Sequence, residues 1–190
     1  MPLIKQIVYM GGQVDVPGNA FNNAGEFNWW MDAEAAKIVL RSEIPQFVIP
    51  LDCTNTVPLT KDTYLKVADH QPETIVTKIY KQFYAPFFGS GPPPFKPYIW
   101  DSLAFAYFVD PTIATDVRDR WLDIDTTLGP DYGKVKGYFT NLPTGLLHKT
   151  SIVFHIDKDR FLKFYVDLLT RPVPVKFQDG GGGDDDGGDD

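Results

Sequence analysis

Residues 10–36 read Met-Gly-Gly-Gln-Val-Asp-Val-Pro-Gly-Asn-Ala-Phe-Asn-Asn-Ala-Gly-Glu-Phe-Asn-Trp-Trp-Met-Asp-Ala-Glu-Ala-Ala. The apolar run Ile4–Met10 ends at the glycine pair Gly11-Gly12, and a helical pattern begins near Asp32. A short β-branched run followed by glycines is typical of a buried strand. We therefore expect a strand, a polar loop and a helix, with the loop beyond the carboxyl end of a strand, where α/β sheets bind ligands.

The polar loop contains carboxamides and carboxylates but no lysine or arginine. Amide and carboxylate groups together donate to and accept from hydroxyls, so the loop favours an uncharged polyhydroxylated ligand such as a sugar over a phosphate. Glu26 and Asn28 lie two residues apart. In an extended segment both would point the same way, with Phe27 directed into the core.

The remaining chain alternates helical and strand-like patterns before strands dominate, which indicates an α/β fold with a mixed sheet. We predict one three-layer, Rossmann-like domain over residues 1–178 and a disordered tail over 179–190, which consists of six Gly and six Asp. The predicted elements are strands at 4–10, 47–51, 121–124, 135–140 and 151–156, and helices at 33–42, 60–70, 72–88, 99–109 and 158–171. On the helix after Pro72, Ile75, Ile79 and Phe83 form one apolar row and Val76, Tyr80 and Tyr84 a second.

The charge and composition exclude several classes of function. The formal net charge is −7, but without the tail the chain has 19 acidic and 18 basic residues, and no basic cluster supports nucleic-acid binding. No apolar stretch approaches the ~20 residues of a membrane span. The first ten residues lack a signal peptide, which favours a cytoplasmic protein. Cys53 is the single cysteine, lies among apolar residues, and is interpreted as a buried thiol.

Asp101 follows Trp100 at a predicted helix start, between apolar residues. A carboxylate buried there must be paired, metal-bound or neutral, and a helix cap is the alternative interpretation. Asp32 is most simply a helix cap, while Asp15 and Asn22 suit turns. The three histidines have neither metal-ligand spacing nor a catalytic-triad arrangement.

Several separated motifs resemble the inosine/uridine-preferring nucleoside hydrolases over residues 4–171. In chain order they are Met10-Gly11-Gly12, Gly18-Asn19, Glu26-Phe27-Asn28, Asp32-Ala33-Glu34-Ala35-Ala36, Leu51-Asp52-Cys53-Thr54 with Pro58-Leu59-Thr60, and Trp100-Asp101-Ser102-Leu103-Ala104 with Asp110-Pro111. The resemblance implies cleavage of the N-glycosidic bond of ribonucleosides to ribose and free base. It also implies a Ca²⁺ ion, bound by aspartates, that holds water and the ribose hydroxyls.

By this resemblance Asp101 matches the calcium-ligating aspartate, and Asn19, Glu26 and Asn28 match the ribose binders. Asn22 or Asn23 is the alternative to Asn19, and Met10 lies at the substrate-contacting end of its strand. Trp100 stands where the family usually has a histidine. This is similar to the purine-specific branch, in which an indole stacks on the base, and an inactive, divergent site is the alternative.

The family's Asp-rich opening segment, which supplies most calcium ligands and the catalytic base, has no counterpart in residues 1–190. The chain thus resembles the C-terminal half of a nucleoside hydrolase. We expect it to act on a nucleoside or ribose only when a longer parent or companion chain supplies the N-terminal half, and it could form a homo-oligomer. The alternative is an inactive nucleoside- or sugar-binding remnant, or an interaction module that uses an open sheet edge.

Overall fold

The computed structural model describes residues 3–89, 91, 95–146 and 148–172. Within them, five strands form one sheet: β1 (Ile7–Met10), β2 (Gln46–Ile49), β3 (Ala114–Ile124), β4 (Val135–Tyr138) and β5 (Thr150–Ile156). The strand order is β1-β2-β5-β3-β4. The neighbours β1, β2 and β5 are parallel, whereas β3 runs antiparallel to both β5 and β4. The predicted mixed α/β sheet is confirmed.

Seven α-helices occur in the described part of the chain: α1 (Phe27–Met31), α2 (Ala33–Leu40), α3 (Leu51–Thr54), α4 (Lys61–Ala68), α5 (Ile75–Phe88), α6 (Asp101–Val109) and α7 (Lys158–Thr170). A 3₁₀ helix over Pro111–Ile113 joins α6 to β3. None of these helices is long and apolar enough to cross a membrane.

The sheet separates two apolar clusters, because neighbouring strand residues face opposite sides. Val48 and Ile152 face α2, while Ile49 and Val153 face the larger cluster formed with α4 to α7. All four side chains are at most 1% exposed. Helices therefore cover both faces, which gives the expected three layers.

Local signals predicted several helix starts correctly. The side chains of Asp32, Thr60 and Asp157 accept hydrogen bonds from the first turns of α2, α4 and α7. A capped helix start depends on residues within one turn, so it can be recognised without tertiary information.

Other predictions need correction, because contacts between residues far apart in the sequence determine the structure there. The strand predicted over 121–124 begins at Ala114 instead, because its first half carries alternating charged residues that conceal a strand paired with β5. On α5, the predicted apolar row of Ile75, Ile79 and Phe83 is exposed, and Tyr80 of the second row is buried instead. A whole helix, α1, occurs in the predicted loop. The acidic tail at 179–190 lies outside the described residues.

Candidate active site

One cavity of about 770 Å³ lies beyond the carboxyl end of β1, beside the segment after β2 and the start of α6. That volume is in the range of small-molecule sites. All six residues predicted for the site contribute to its wall. The lining residues are Met10, Asn19, Glu26, Phe27, Asn28, Asn55, Phe95, Lys96, Tyr98, Trp100 and Asp101.

Glu26 is the most strongly bonded member of this wall and is only 1% exposed. Its Oε2 accepts the backbone N–H groups of Gly12 and Trp29, both at 3.1 Å. Its Oε1 accepts the backbone N–H and the side-chain Nδ2 of Asn28, both at 2.9 Å. A carboxylate has about four acceptor sites, so protein donors occupy nearly all of them. Glu26 therefore joins the strand end to the first turn of α1.

The prediction that Glu26 and Asn28 lie side by side is right, but its reason is wrong. The segment is helical rather than extended, with Glu26 as the N-cap of α1. Phe27 is 45% exposed and lines the cavity instead of entering the core. An N-cap side chain bonds to N–H groups two or three residues ahead, which brings Asn28 to the Glu26 carboxylate.

Two neighbouring groups hold the loop in place. The buried carboxylate of Asp52 accepts the N–H groups of Val14 and Asp15 at 2.8 and 2.7 Å. Asn19 lines the cavity, and its Oδ1 accepts the Phe27 N–H at 2.8 Å. Asn22, the sequence alternative to Asn19, instead accepts from Ala24 and Gly25 within a turn.

The glycines after β1 are required by the indole of Trp29. A Cβ on Gly11 would lie 2.2 Å from Nε1 of Trp29, and one on Gly12 would lie 2.6 Å from the same ring. Gly12 also has a φ of +71°, which disfavours other residues. The glycine pair thus allows Trp29 to pack directly against the backbone at the base of the loop.

A short extended segment forms the aromatic side of the cavity. The Leu59 N–H donates to the Pro97 carbonyl at 3.0 Å, and the Ile99 N–H donates to the Val57 carbonyl at 3.1 Å. Pro97 and Ile99 are buried, whereas the residues at 96, 98 and 100 are not. Alternate residues of an extended chain share a face, so Lys96, Tyr98 and Trp100 form a row along the cavity.

The aromatic rings of this row contact one another. The ring centroids of Tyr98 and Trp100 are 5.6 Å apart, and those of Phe95 and Trp100 are 6.2 Å apart. The Lys96 Nζ lies 5.1 Å from the centroid of Tyr98. The indole Nε1 of Trp100 is buried without a hydrogen-bond partner among the described residues. Ring packing therefore determines where the Trp100 indole lies.

Asp101 begins α6 and is exposed, so the assumption that its carboxylate is buried was wrong. The charge of Asp101 also acts on the phenol of Tyr84: burial raises the pKa of that phenol, and the charge of Asp101 raises it further.

Calcium requires about 6–8 oxygen ligands. Within the described ranges, no group of three or more His, Cys, Asp or Glu side chains could hold a metal ion. These residues therefore do not form a metal site by themselves.

Five lining residues were not among those predicted for the site: Phe27, Asn55, Phe95, Lys96 and Tyr98. The alternation from Lys96 to Trp100 was the available signal for two of them. None of the three histidines contributes to the described lining. Cys53 is fully buried, as expected, and burial raises the pKa of its thiol to about 12, with a further contribution from the charge of Asp52.

The fold is that of an α/β protein with a cavity at the carboxyl end of its parallel strands. Comparison with known proteins then identifies the family. The sequence model described as "Inosine-uridine preferring nucleoside hydrolase" matches residues 1–163. The chain therefore belongs to the inosine-uridine preferring nucleoside hydrolase family, and the sequence resemblance is confirmed.

Individual relatives include enzymes with different base preferences. The pyrimidine-specific ribonucleoside hydrolase RihB of Shigella flexneri is 29% identical over 145 residues, a match that covers 70% of this chain and 42% of that protein. The structure of the inosine-uridine preferring nucleoside hydrolase from Bacillus anthracis is 27% identical with a TM-score of 0.67, covering 88% of this chain and 51% of that one.

The purine-preferring ribonucleoside hydrolase from Gardnerella vaginalis is 28% identical with a TM-score of 0.68. That match covers 87% of this chain and 52% of the Gardnerella chain. The chain thus spans less than half of the curated relative and about half of the solved ones.

Proposed function

We propose that this chain carries the ribose- and base-binding half of a nucleoside hydrolase site that acts on purine ribonucleosides. One observation carries the proposal: Met10, Asn19, Glu26, Asn28, Trp100 and Asp101, which come from three separate parts of the chain, line a single cavity. In the reaction, water attacks C1′ of the ribose, the C–N bond breaks, and the proton of the water ends on the departing base.

The ribose is assigned to the end of the cavity formed by Asn19, Glu26 and Asn28. Carboxamides donate and accept, as the vicinal hydroxyls of ribose do. Asn19 and Asn28 are exposed, whereas Glu26 is buried and donates nothing when ionised. We therefore assign the direct contacts with the sugar hydroxyls to the side-chain amides of Asn19 and Asn28. Glu26 would reach a hydroxyl only by exchanging one of its four present donors.

The base is assigned to the aromatic end. An indole can stack on either class of base, and stacking contributes about 1–3 kcal/mol per base. The larger ring system of a purine would cover more of Trp100 and its neighbour Tyr98. This is the reason for proposing purine preference, although the family includes relatives of both preferences.

A divalent cation, proposed to be Ca²⁺, would need oxygen ligands beyond those described here. Asp101 is exposed at the cavity and would supply one carboxylate. We propose that an acidic segment outside this chain provides the other ligands and the catalytic base. The described residues on their own would bind and orient the nucleoside.

A second function, in a different class, has a specific observation in its favour. Since the described residues contain no metal-binding group of three or more side chains, the chain could bind nucleosides without cleaving them. Strand β1 lies at one edge of the sheet, and an open edge can pair with another chain. An inactive binding or interaction module is therefore the competing proposal.

The decisive experiment measures binding and cleavage separately. Inosine, adenosine and uridine are titrated into the chain by calorimetry, with and without calcium. Release of reducing sugar is then measured for the chain alone and after addition of the acidic N-terminal half of a family member. Asp101→Asn is compared with Asp62→Asn, a matched change of an exposed residue on α4 outside the cavity.

We expect the chain to bind inosine more tightly than uridine and to release ribose only in the completed protein. Asp101→Asn should abolish that release, and Asp62→Asn should not alter it. Binding without release from the completed protein would favour the inactive module. If Asp101→Asn does not change ribose release, Asp101 is not a metal ligand. If uridine binds more tightly than inosine, the proposed purine preference is wrong.

A further inference from the structure

We infer that Lys96 reads the edge of the base and selects 6-oxopurines, such as hypoxanthine, over 6-aminopurines, such as adenine. The inference rests on the proposed function, because it places the base at the aromatic end of the cavity. It concerns a residue that the catalytic assignment does not use.

The position of Lys96 is set by the backbone. Hydrogen bonds from the Leu59 N–H to Pro97 and from the Ile99 N–H to Val57 hold the segment extended. Lys96 and Trp100 therefore lie on the same face, one on each side of Tyr98. The Lys96 Nζ lies 5.1 Å from the centroid of the Tyr98 ring, a distance at which the cation is attracted to the ring face. The ammonium group is thereby kept beside the ring that neighbours the stacking indole.

The cavity carries charges of both signs. Among its described lining residues, Lys96 is the single cation, whereas the carboxylates Glu26 and Asp101 are the anions. Glu26 belongs to the end assigned to the ribose. A base that stacks on Trp100 would thus present its edge to a positively charged donor.

An ammonium group has three donors and no acceptor. A 6-oxopurine that carries its sugar or its hydrogen on N9 presents two acceptors, O6 and N7, on one edge, whereas the corresponding 6-aminopurine presents N7 beside an N6 donor. The Lys96 ammonium can donate to both acceptors of the 6-oxopurine, but on the 6-aminopurine it faces the N6 donor. Lysine and arginine select guanine over adenine in DNA by the same edge pattern.

The test uses free bases, so that it does not depend on catalysis. Hypoxanthine and adenine are titrated into the full chain by calorimetry, in the wild type and in Lys96→Met and Lys96→Arg. Lys78→Met is the matched control, since Lys78 is exposed on α5 and does not line the cavity. Because Lys96 is also exposed, none of these changes should impair folding.

We expect the wild type and Lys78→Met to prefer hypoxanthine by about tenfold, the factor that one good edge contact provides. Lys96→Met should lose this preference, mainly through weaker hypoxanthine binding, and Lys96→Arg should keep it. An unchanged preference in Lys96→Met, or a wild type that prefers adenine, would overturn the role of Lys96 and leave the proposed function standing. If the completed protein binds the bases with this preference but releases no ribose, the role of Lys96 stands and only the proposed hydrolysis is rejected. A wild type that binds neither base would overturn the role of Lys96, while inosine binding and ribose release test the proposed function separately.

Discussion

The Oε1 atom of Glu26 accepts two hydrogen bonds from Asn28, one from its backbone N–H and one from its side-chain Nδ2, both at 2.9 Å. The residue that caps α1 therefore also fixes the amide that we assign to the ribose. Because Oε2 of the same carboxylate binds the N–H groups of Gly12 and Trp29, the end of β1 and the wall of the cavity form one bonded unit.

Glu26→Gln should destabilise the protein. The amide nitrogen of glutamine cannot accept, so it would face two N–H groups that the carboxylate now satisfies, inside a buried site. We expect the free energy of unfolding to fall by about 1–3 kcal/mol, as measured by urea denaturation. Glu73→Gln changes an exposed residue in the same way and should have almost no effect. Equal stability of the two variants would contradict the bonded arrangement.

Gly11→Ala should also destabilise the fold, through a steric clash. The added Cβ would lie 2.2 Å from the Trp29 indole nitrogen, so the ring or the strand end must move. Overpacking of this kind costs about 1–3 kcal/mol. Thermal unfolding checks the prediction, with Gly91→Ala as the control, because a Cβ there meets nothing within 4 Å. A Gly11→Ala protein as stable as the control would show that Trp29 does not pack on this glycine.

Stability should fall at low pH partly through Asp123. Burial, the largest single effect, opposes ionisation of its carboxyl. The hydrogen bonds from Arg41, at 2.6 and 3.2 Å, the backbone N–H of Ile124 and the charges of Lys37 and Arg41 together outweigh burial and lower the pKa. A lowered pKa in the folded state adds stability above the unfolded value of about 3.9 and loses it as the pH falls through the folded value. Unfolding measured from pH 6 down to pH 2 should therefore show declining stability.

Asp123→Asn should remove this part of the pH dependence and, near pH 7, cost at least about 2 kcal/mol, because Arg41 loses its buried partner. Asp62→Asn, an exposed substitution, serves as the control and should cost little. If the two variants have the same pH profile, the pair of Arg41 and Asp123 does not contribute as its geometry indicates.

Cys53 should be unreactive in the native protein. Its side chain is fully buried, and burial raises the pKa of the thiol to about 12, so almost no thiolate forms at neutral pH. We expect a thiol reagent to label Cys53 only at the rate of unfolding, and rapidly in urea. Fast labelling in native buffer would mean that the core around α3 opens far more readily than its packing suggests.

Trp100→Ala should weaken inosine binding by about tenfold or more if the indole stacks on the base. Trp100→Phe, which keeps an aromatic face, should lose less. Trp30→Ala removes another indole that does not line the cavity and should leave the dissociation constant unchanged. Calorimetric titration measures all three, and equal affinities for Trp100→Ala and the wild type would reject the stacking role.

Much of the fold is readable from local pattern. The caps at Asp32, Thr60 and Asp157 and the strands around β2 and β5 follow from interactions within a few residues. The ordered motifs also identify the family, because each belongs to one short stretch of chain. The six residues predicted for the site come from these motifs and line one cavity.

Tertiary structure decided what those local patterns could not. The exposure of Phe27 depends on the helix that Glu26 caps, and the full length of β3 depends on its pairing with β5. Lys96 and Tyr98 join the cavity only because the chain near Val57 holds their segment extended. Short-range propensities are encoded in neighbouring residues, whereas burial and hydrogen bonds between distant segments exist only once the chain is folded. The sequence alone therefore determined most of the elements and the family, and the fold determined which side chains share the cavity.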